Sequence, residues 1–367
     1  VYTQPDNSLR ILLFGTVTVL LTLFMLWLYA ANVRTAFANQ QKRERGEAIP
    51  TVRRQLNELT DSHFQRLTLA VPTALLTIFT ILPLIFMVLM AFTNFDKDHQ
   101  PPGNLFTWTG LDTFIDLFGG NALISTTFVR LLGWTLVWAF FATFTNYLFG
   151  ILLAMLINRK SIRFKGMWRT VFVMTIAVPQ FVSLLLMSQL LSEQGAVNVL
   201  LKNLGLIGEA LPFLTDAAWA RVTVIVVNMW VGIPYTLLIC TGILMNIPED
   251  LYESARIDGA GPSAVFFRIT MPYMLFVTAP YLITQFVGNI NNFNLIYLLT
   301  GGGPLSLDYY QAGKTDLLVT WLYKQTVNEQ NYNLASVIGI LVFLLSAVMS
   351  LTVYARSSSA QREEEFQ

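Results

Sequence analysis

The 367-residue sequence has little of what catalytic centres are usually built from: one cysteine, two histidines, and charged residues amounting to 12% of the chain. The lone cysteine, Cys240, can close no disulfide within the chain, and inside an apolar run it reads as a small core residue. His63 and His99 stand far apart in polar segments, so neither a metal site nor a nucleophile–base pair presents itself, and no cofactor is expected. The scarcity of charge excludes a soluble fold, which has to cover itself with polar side chains. Net charge is +1, and no nucleic-acid partner is expected.

What the chain has instead is hydrocarbon: 54% of its residues are hydrophobic, and they are gathered into long runs. A bilayer core of about 30 Å needs about 20 helical residues, and seven runs meet that length: 11–31, 67–93, 131–157, 171–192, 222–246, 273–300 and 334–355. None contains Asp, Glu, Lys, Arg or His, and all are too long and unbroken for barrel strands. The expected fold is an all-α polytopic membrane protein.

Basic residues are unevenly placed between the runs. Segment 32–66 holds Arg34, Lys42, Arg43, Arg45, Arg53, Arg54 and Arg66; segment 158–170 holds Arg159, Lys160, Arg163, Lys165 and Arg169. Both should face the cytoplasm, which puts sixteen of the 23 basic residues inside, together with the loop after the fifth run and the C-terminal tail. Segments 94–130, 193–221 and 301–333, and Val1, are then outside. A chain starting on the far side without methionine leads us to expect one more helix ahead of it.

The loop Asn246–Met271 reads as helix, turn, helix. Pro248, Glu249 and Asp250 suit a first helical turn, Leu251, Tyr252, Ala255 and Ile257 give it an apolar side, and Gly259 and Gly261 supply tolerance of positive φ at its end. Pro262 opens a second helix, and Pro272 marks the return to the membrane. Such a hairpin is either a lug gripped by another protein or an ordinary interfacial connector; the pattern fits both equally.

Polar groups inside spans mark helix–helix contacts or a substrate path. Asn228, Gly232, Pro234 and Tyr235 cluster in the fifth run, where proline and glycine should break the helix near the midplane. In the sixth, Gln285, Asn289 and Asn292 are spaced i, i+4 and i+7 on one helical face, with Asn291, Asn294, Phe286 and Phe293 close by. Neutral amides beside aromatic rings suit an uncharged, hydroxyl-rich ligand such as a sugar; interhelical hydrogen bonding is the plainer alternative. Gly313-Lys314-Thr315 imitates the end of a phosphate-binding loop, but the glycine required five residues earlier is Asp308. Gly301-Gly302-Gly303-Pro304 reads as a turn or hinge.

Glu253-Ser-Ala-Arg-Ile-Asp-Gly-Ala-Gly261, followed by Ile269-Thr-Met-Pro272, resembles the EAA loop of ABC importer permeases. The resemblance implies a type I permease bundle whose hairpin seats in a cytoplasmic ATPase subunit, with Glu253, Ser254, Ala255, Asp258, Gly259, Ala260 and Gly261 at the contact. Trp230-Val-Gly-Ile-Pro-Tyr235 and Asn291-Asn-Phe-Asn through Gly303-Pro304 are similar to the larger permease subunit of maltose/maltodextrin importers, in the carbohydrate-uptake family. That similarity implies sugar binding by Val231, Gly232, Tyr235, Gln285, Asn289 and Asn292. Gln285 stands where those permeases carry serine, and Gly288 where they carry phenylalanine; the resemblance implies maltose or maltodextrin as the substrate, with another oligosaccharide such as a galacto-oligosaccharide as the alternative. It also implies a second permease subunit, two ATPase subunits that bind the ATP, an extracytoplasmic sugar-binding protein, and a place in a bacterial or archaeal cell membrane. Three parts are expected: an N-terminal helix and basic linker over 1–66, a permease core over 67–357 with the coupling loop at 246–272, and a tail over 358–367. An ion-coupled secondary transporter would carry intramembrane acids or histidines, which the seven runs lack. A purely structural subunit would leave the aligned amides unexplained.

Overall fold

The computed structural model describes residues 7–47, 51, 61, 64–159 and 161–355. The expectations for Val1, Arg53, Arg54, His63, Lys160, Arg356, Arg362 and the tail 358–367 lie outside these residues. Among the described residues the chain is helical, with two isolated β-bridges, Thr93 to Trp108 and Leu305 to Gly313. Six helices are long and apolar enough to cross a membrane, and a bent pair makes a seventh crossing if counted as one.

The chain divides into two compact units, Val1–Thr113 with Gln330–Val337, and Phe114–Glu329 with Ile338–Gln367. The first unit holds α1 (Ser8–Glu44), α2 (Phe64–Leu76) and α3 (Leu82–Met90). Asn7 caps α1 by accepting from Arg10 N, and the helix runs on into the basic segment that follows the first apolar run. Most of its large apolar side chains are exposed, Phe14, Met25, Trp27 and Tyr29 among them, as suits a helix solvated by lipid. After α3 the chain folds around Phe95, whose ring lies 4.8 Å from Phe106 and 4.6 Å from Tyr332. Asn333 N donates to Phe95 O, and Phe106 N donates to Ser8 Oγ.

The second unit holds α4 (Ala122–Asn158), α5 (Lys165–Ala177), α6 (Gln180–Leu190), α7 (Ala217–Leu244), α8 (Glu249–Ile257), α9 (Met271–Ile290), α10 (Phe293–Thr300) and α11 (Leu318–Tyr323). α12 (Tyr332–Ala355) starts in the first unit and continues in the second. The core of the second unit is the tight pairing of α4 with α7. A methyl group on Gly150 would stand 2.5 Å from Thr236 Cγ2, and one on Gly232 would stand 2.0 Å from Asn146 Nδ2. Small residues at these points let the two backbones approach as membrane helices do when dispersion and hydrogen bonds replace the hydrophobic effect. Trp134 and Trp138, both buried, pack there and donate their indole N–H groups to Thr315 O and Asn289 O.

Prolines act differently from what the sequence led us to expect. α7 runs unbroken through Gly232 and Pro234, pressed against α4, and Thr236 Oγ1 donates to Gly232 O beside the proline. The break falls in the fourth run at Val178–Pro179, where α5 and α6 meet at 89°. Val178 is extended (φ −80°, ψ 126°), the conformation a following proline imposes. The sixth run is also interrupted: α9 ends at Ile290, and Asn292 caps a separate α10. Helix continues from Pro262 to Ile290 through a π-turn at Phe266–Thr270, so Pro272 lies within one helical stretch. A matching π-turn, Thr77–Ile81, precedes Pro83. In both, the proline ring would otherwise meet the carbonyl four residues back, and that carbonyl lies in the widened turn.

The segment after α10 is stitched to the bundle. Gly301 (φ +59°) and Gly302 (φ +81°) turn the chain as expected of a glycine turn, and a Cβ on Gly302 would collide with the Asp316 carboxylate. Gly313 N donates to Asp316 Oδ2, Lys314 N to Pro304 O and Thr315 N to Gly302 O, so the amides of the phosphate-loop mimic are engaged within the loop. Asp316 is fully buried and pairs with Lys324 Nζ at 2.6 Å. Burial pushes its carboxyl above the usual carboxylate range, against the opposing pull of Lys324 and the Gly313 N–H. Lys324→Met should therefore leave an uncompensated buried carboxylate and cost about 3–5 kcal/mol. Thermal unfolding of the detergent-solubilised protein should show the loss, and Asp316→Leu combined with Lys324→Met should recover most of it.

Candidate functional site

The second unit encloses a cavity of about 490 Å³, within the size range of small-molecule sites. Val231, Gly232 and Tyr235 reach it from α7, Gln285 and Asn289 from α9, and Asn292 from the break beyond α9. All six residues singled out for sugar binding thus line one space. Asn292 arrives by a route the helical spacing did not foresee, since it sits at the N-cap of α10 and not on the face of α9. Phe286, Phe293, Asn291 and Asn294 are not among the lining residues; rings are supplied instead by Tyr147, Trp230, Tyr235 and Tyr281. Asn291 donates to Val287 O and Ser346 Oγ. No lining residue carries a charge.

The amides are partly committed to holding helices together. Asn289 Nδ2 donates to Thr143 Oγ1 on α4 at 3.0 Å, Asn292 Nδ2 donates to Asn289 Oδ1 at 3.3 Å, and Asn292 Oδ1 accepts from Leu295 N. Asn228 Nδ2 donates to Ala142 O. Binding and interhelical hydrogen bonding are therefore not alternatives here, because one amide has capacity for both. The sequence reading passed over four polar lining residues: Asn146 and Thr143 on α4, and Gln180 and Ser183 after the α5–α6 bend. An amide in an otherwise apolar third run, and a polar residue directly after Pro179, were the available signals.

Directly beyond α7 lies the hairpin. α8 carries Glu249 and Asp250 in its first turn and Glu253, Ser254 and Ala255 further on. Its end is a full Schellman turn: Gly259 N donates to Arg256 O, Ala260 N donates to Ala255 O, and Gly259 has φ +76°. Gly261, expected to share that role, is extended (φ −72°) and leads into Pro262. Tyr252 OH and Thr270 Oγ1 lie 3.2 Å apart, joining the two arms. Ile257 and Phe267 are strongly exposed, and so are Glu253 and Asp258. The second arm continues as helix into α9 and the first is joined to α7 by the turn 245–248; α7 and α9 carry five of the six residues singled out for sugar binding.

Comparison with known proteins decides the family. Residues 146–359 match the family described as binding-protein-dependent transport system inner membrane component. The chain belongs to that family. It is therefore a multi-pass membrane component of a binding-protein-dependent transport system. It is 37% identical over 360 residues to the galactooligosaccharides transport system permease protein GanP of Bacillus subtilis, covering 98% of this chain and 85% of GanP. Identity to the maltodextrin permease protein MdxF of the same organism is 33% over 98% of this chain and 84% of MdxF. The maltose/maltodextrin permease MalF of Escherichia coli is 36% identical over 70% of this chain, which spans half of MalF. The crystal structure of a bacterial ABC transporter that imports the acidic polysaccharide alginate aligns with TM-score 0.63 and 25% identity, over 83% of this chain and 98% of that one.

Asn292→Ala should remove the α10 cap and the contact to Asn289 together, costing about 1 kcal/mol, whereas Asn292→Ser should keep most of the capping energy. Thermal unfolding of the two variants against the parent measures the difference.

Proposed function

We propose that this chain is one of two permease subunits of an ATP-driven importer of neutral oligosaccharides. The observation that carries the reading is the uncharged cavity, in which amides and aromatic rings stand together. Amides hydrogen-bond to sugar hydroxyls, and rings stack on the apolar faces of pyranoses. GanP and MdxF, named for galacto-oligosaccharides and maltodextrin, give the two sugar classes to try first. Val231, Gly232, Tyr235, Gln285, Asn289 and Asn292 would hold the sugar.

The chain has no cofactor of its own in this reading, and ATP is bound and hydrolysed by two cytoplasmic partner subunits. The hairpin and the C-terminus face those subunits, with Glu253, Ser254, Ala255, Asp258, Gly259, Ala260 and Gly261 forming the contact. A sugar-loaded extracytoplasmic protein delivers the substrate to the opposite side. Closure of the ATPase pair moves the hairpin, the hairpin moves α7 and α9, and the cavity between them changes the side to which it opens. A helix is stiff over this span: Tyr235 lies nine residues from Leu244 at the end of α7, about 14 Å along the axis.

Uptake of radiolabelled maltotriose and β-1,4-galactotriose by cells carrying the full transporter tests the reading. At least one should enter, and Tyr235→Ala should reduce its entry at least tenfold with the complex still assembled; entry of neither would refute the oligosaccharide assignment. Gly259→Val forces a β-branched residue into positive φ at a cost of about 1–2 kcal/mol. It should abolish uptake and sugar-stimulated ATP hydrolysis while the chain still inserts, and full uptake by this variant would count against the coupling role.

A further inference from the structure

Asn146 lies on α4 at the wall of the cavity, and its Oδ1 is buried without a hydrogen-bond partner. Its position is set by Gly232 on α7, whose Cα leaves the only room for the amide: any Cβ there would stand 2.0 Å from Asn146 Nδ2 and 2.6 Å from Cγ. Neighbouring amides are differently placed. Asn228, Asn289 and Asn292 each make a hydrogen bond to the protein, whereas the Asn146 carbonyl makes none. A buried carbonyl left unpaired costs about 1–3 kcal/mol, and the cost is recovered when a donor enters. The terminal amide torsion is soft, so a small turn brings the oxygen to a hydroxyl in the cavity.

We propose that Asn146 is a further substrate-contacting residue, accepting a hydrogen bond from a sugar hydroxyl, and that Gly232 is a positioning residue that makes room for it. The proposal rests on the oligosaccharide reading. Its physical consequence is a split between stability and transport. An apolar side chain of the same branching removes the unpaired carbonyl, yet it offers nothing to a hydroxyl.

The experiment uses the complete transporter, with uptake of maltotriose and of β-1,4-galactotriose, co-purification of the subunits, and thermal unfolding measured for each variant. Asn146→Leu should unfold at a higher temperature than the parent and transport five- to tenfold more slowly, with assembly unchanged. Gly232→Ala should displace the amide and lower uptake at least as much, since Gly232 itself also lines the cavity. Normal uptake by Asn146→Leu would overturn the contact, and normal uptake by Gly232→Ala would overturn the positioning role of Gly232. If the parent transporter takes up neither sugar, the oligosaccharide reading itself fails, which is a different result from a parent that transports and an Asn146 variant that does so equally well.

Discussion

Hydrocarbon supplies no hydrogen bonds, so a helix crossing it can break only where protein or a polar cavity satisfies the freed groups. Two breaks in the second unit obey that constraint. Val178 and Pro179 interrupt α5–α6, and Asn292 caps the restart after α9; all three residues line the same cavity. Each break turns a stretch of chain that would otherwise be sealed into part of the wall. The polar side chains follow from it, because Gln180, Ser183 and Asn292 are brought to the cavity by bends that a straight helix would not make.

A second constraint is the closeness of α4 and α7. Gly150 and Gly232 permit it, and Asn146 and Thr236 fill the space that glycine leaves. α7 runs as one helix through Pro234, and the turn 245–248 joins it to the hairpin. On the other arm a π-turn at Phe266–Thr270 leads into α9 ahead of Pro272, and Pro280 is held inside the helix. The Tyr252–Thr270 hydrogen bond and the Schellman turn tie the two arms together and make the hairpin a defined body.

Much of this was legible in the sequence because it rests on local chemistry. The apolar runs gave the crossings, and the Asp-Gly-Ala order at 258–260 gave the turn, since Gly259 is where positive φ is needed. Residues 231, 232, 235, 285, 289 and 292 were singled out by their resemblance to known sugar permeases and prove to share a cavity. Which proline breaks its helix was not legible. Pro179 and Pro234 are the same residue in similar apolar surroundings along the chain, and the difference between them lies in a neighbour distant in sequence, α4 pressed on α7. Asn146 was passed over for the same reason: one amide in an apolar run has no meaning until its facing residue, Gly232, is known.

The uncharged lining has an electrical consequence. Moving one elementary charge through a membrane potential of 100 mV takes about 2.3 kcal/mol. The cavity's lining residues are all neutral, and a neutral solute held there brings no charge into that field. Occupancy of the cavity by such a solute then neither draws on the membrane potential nor is opposed by it.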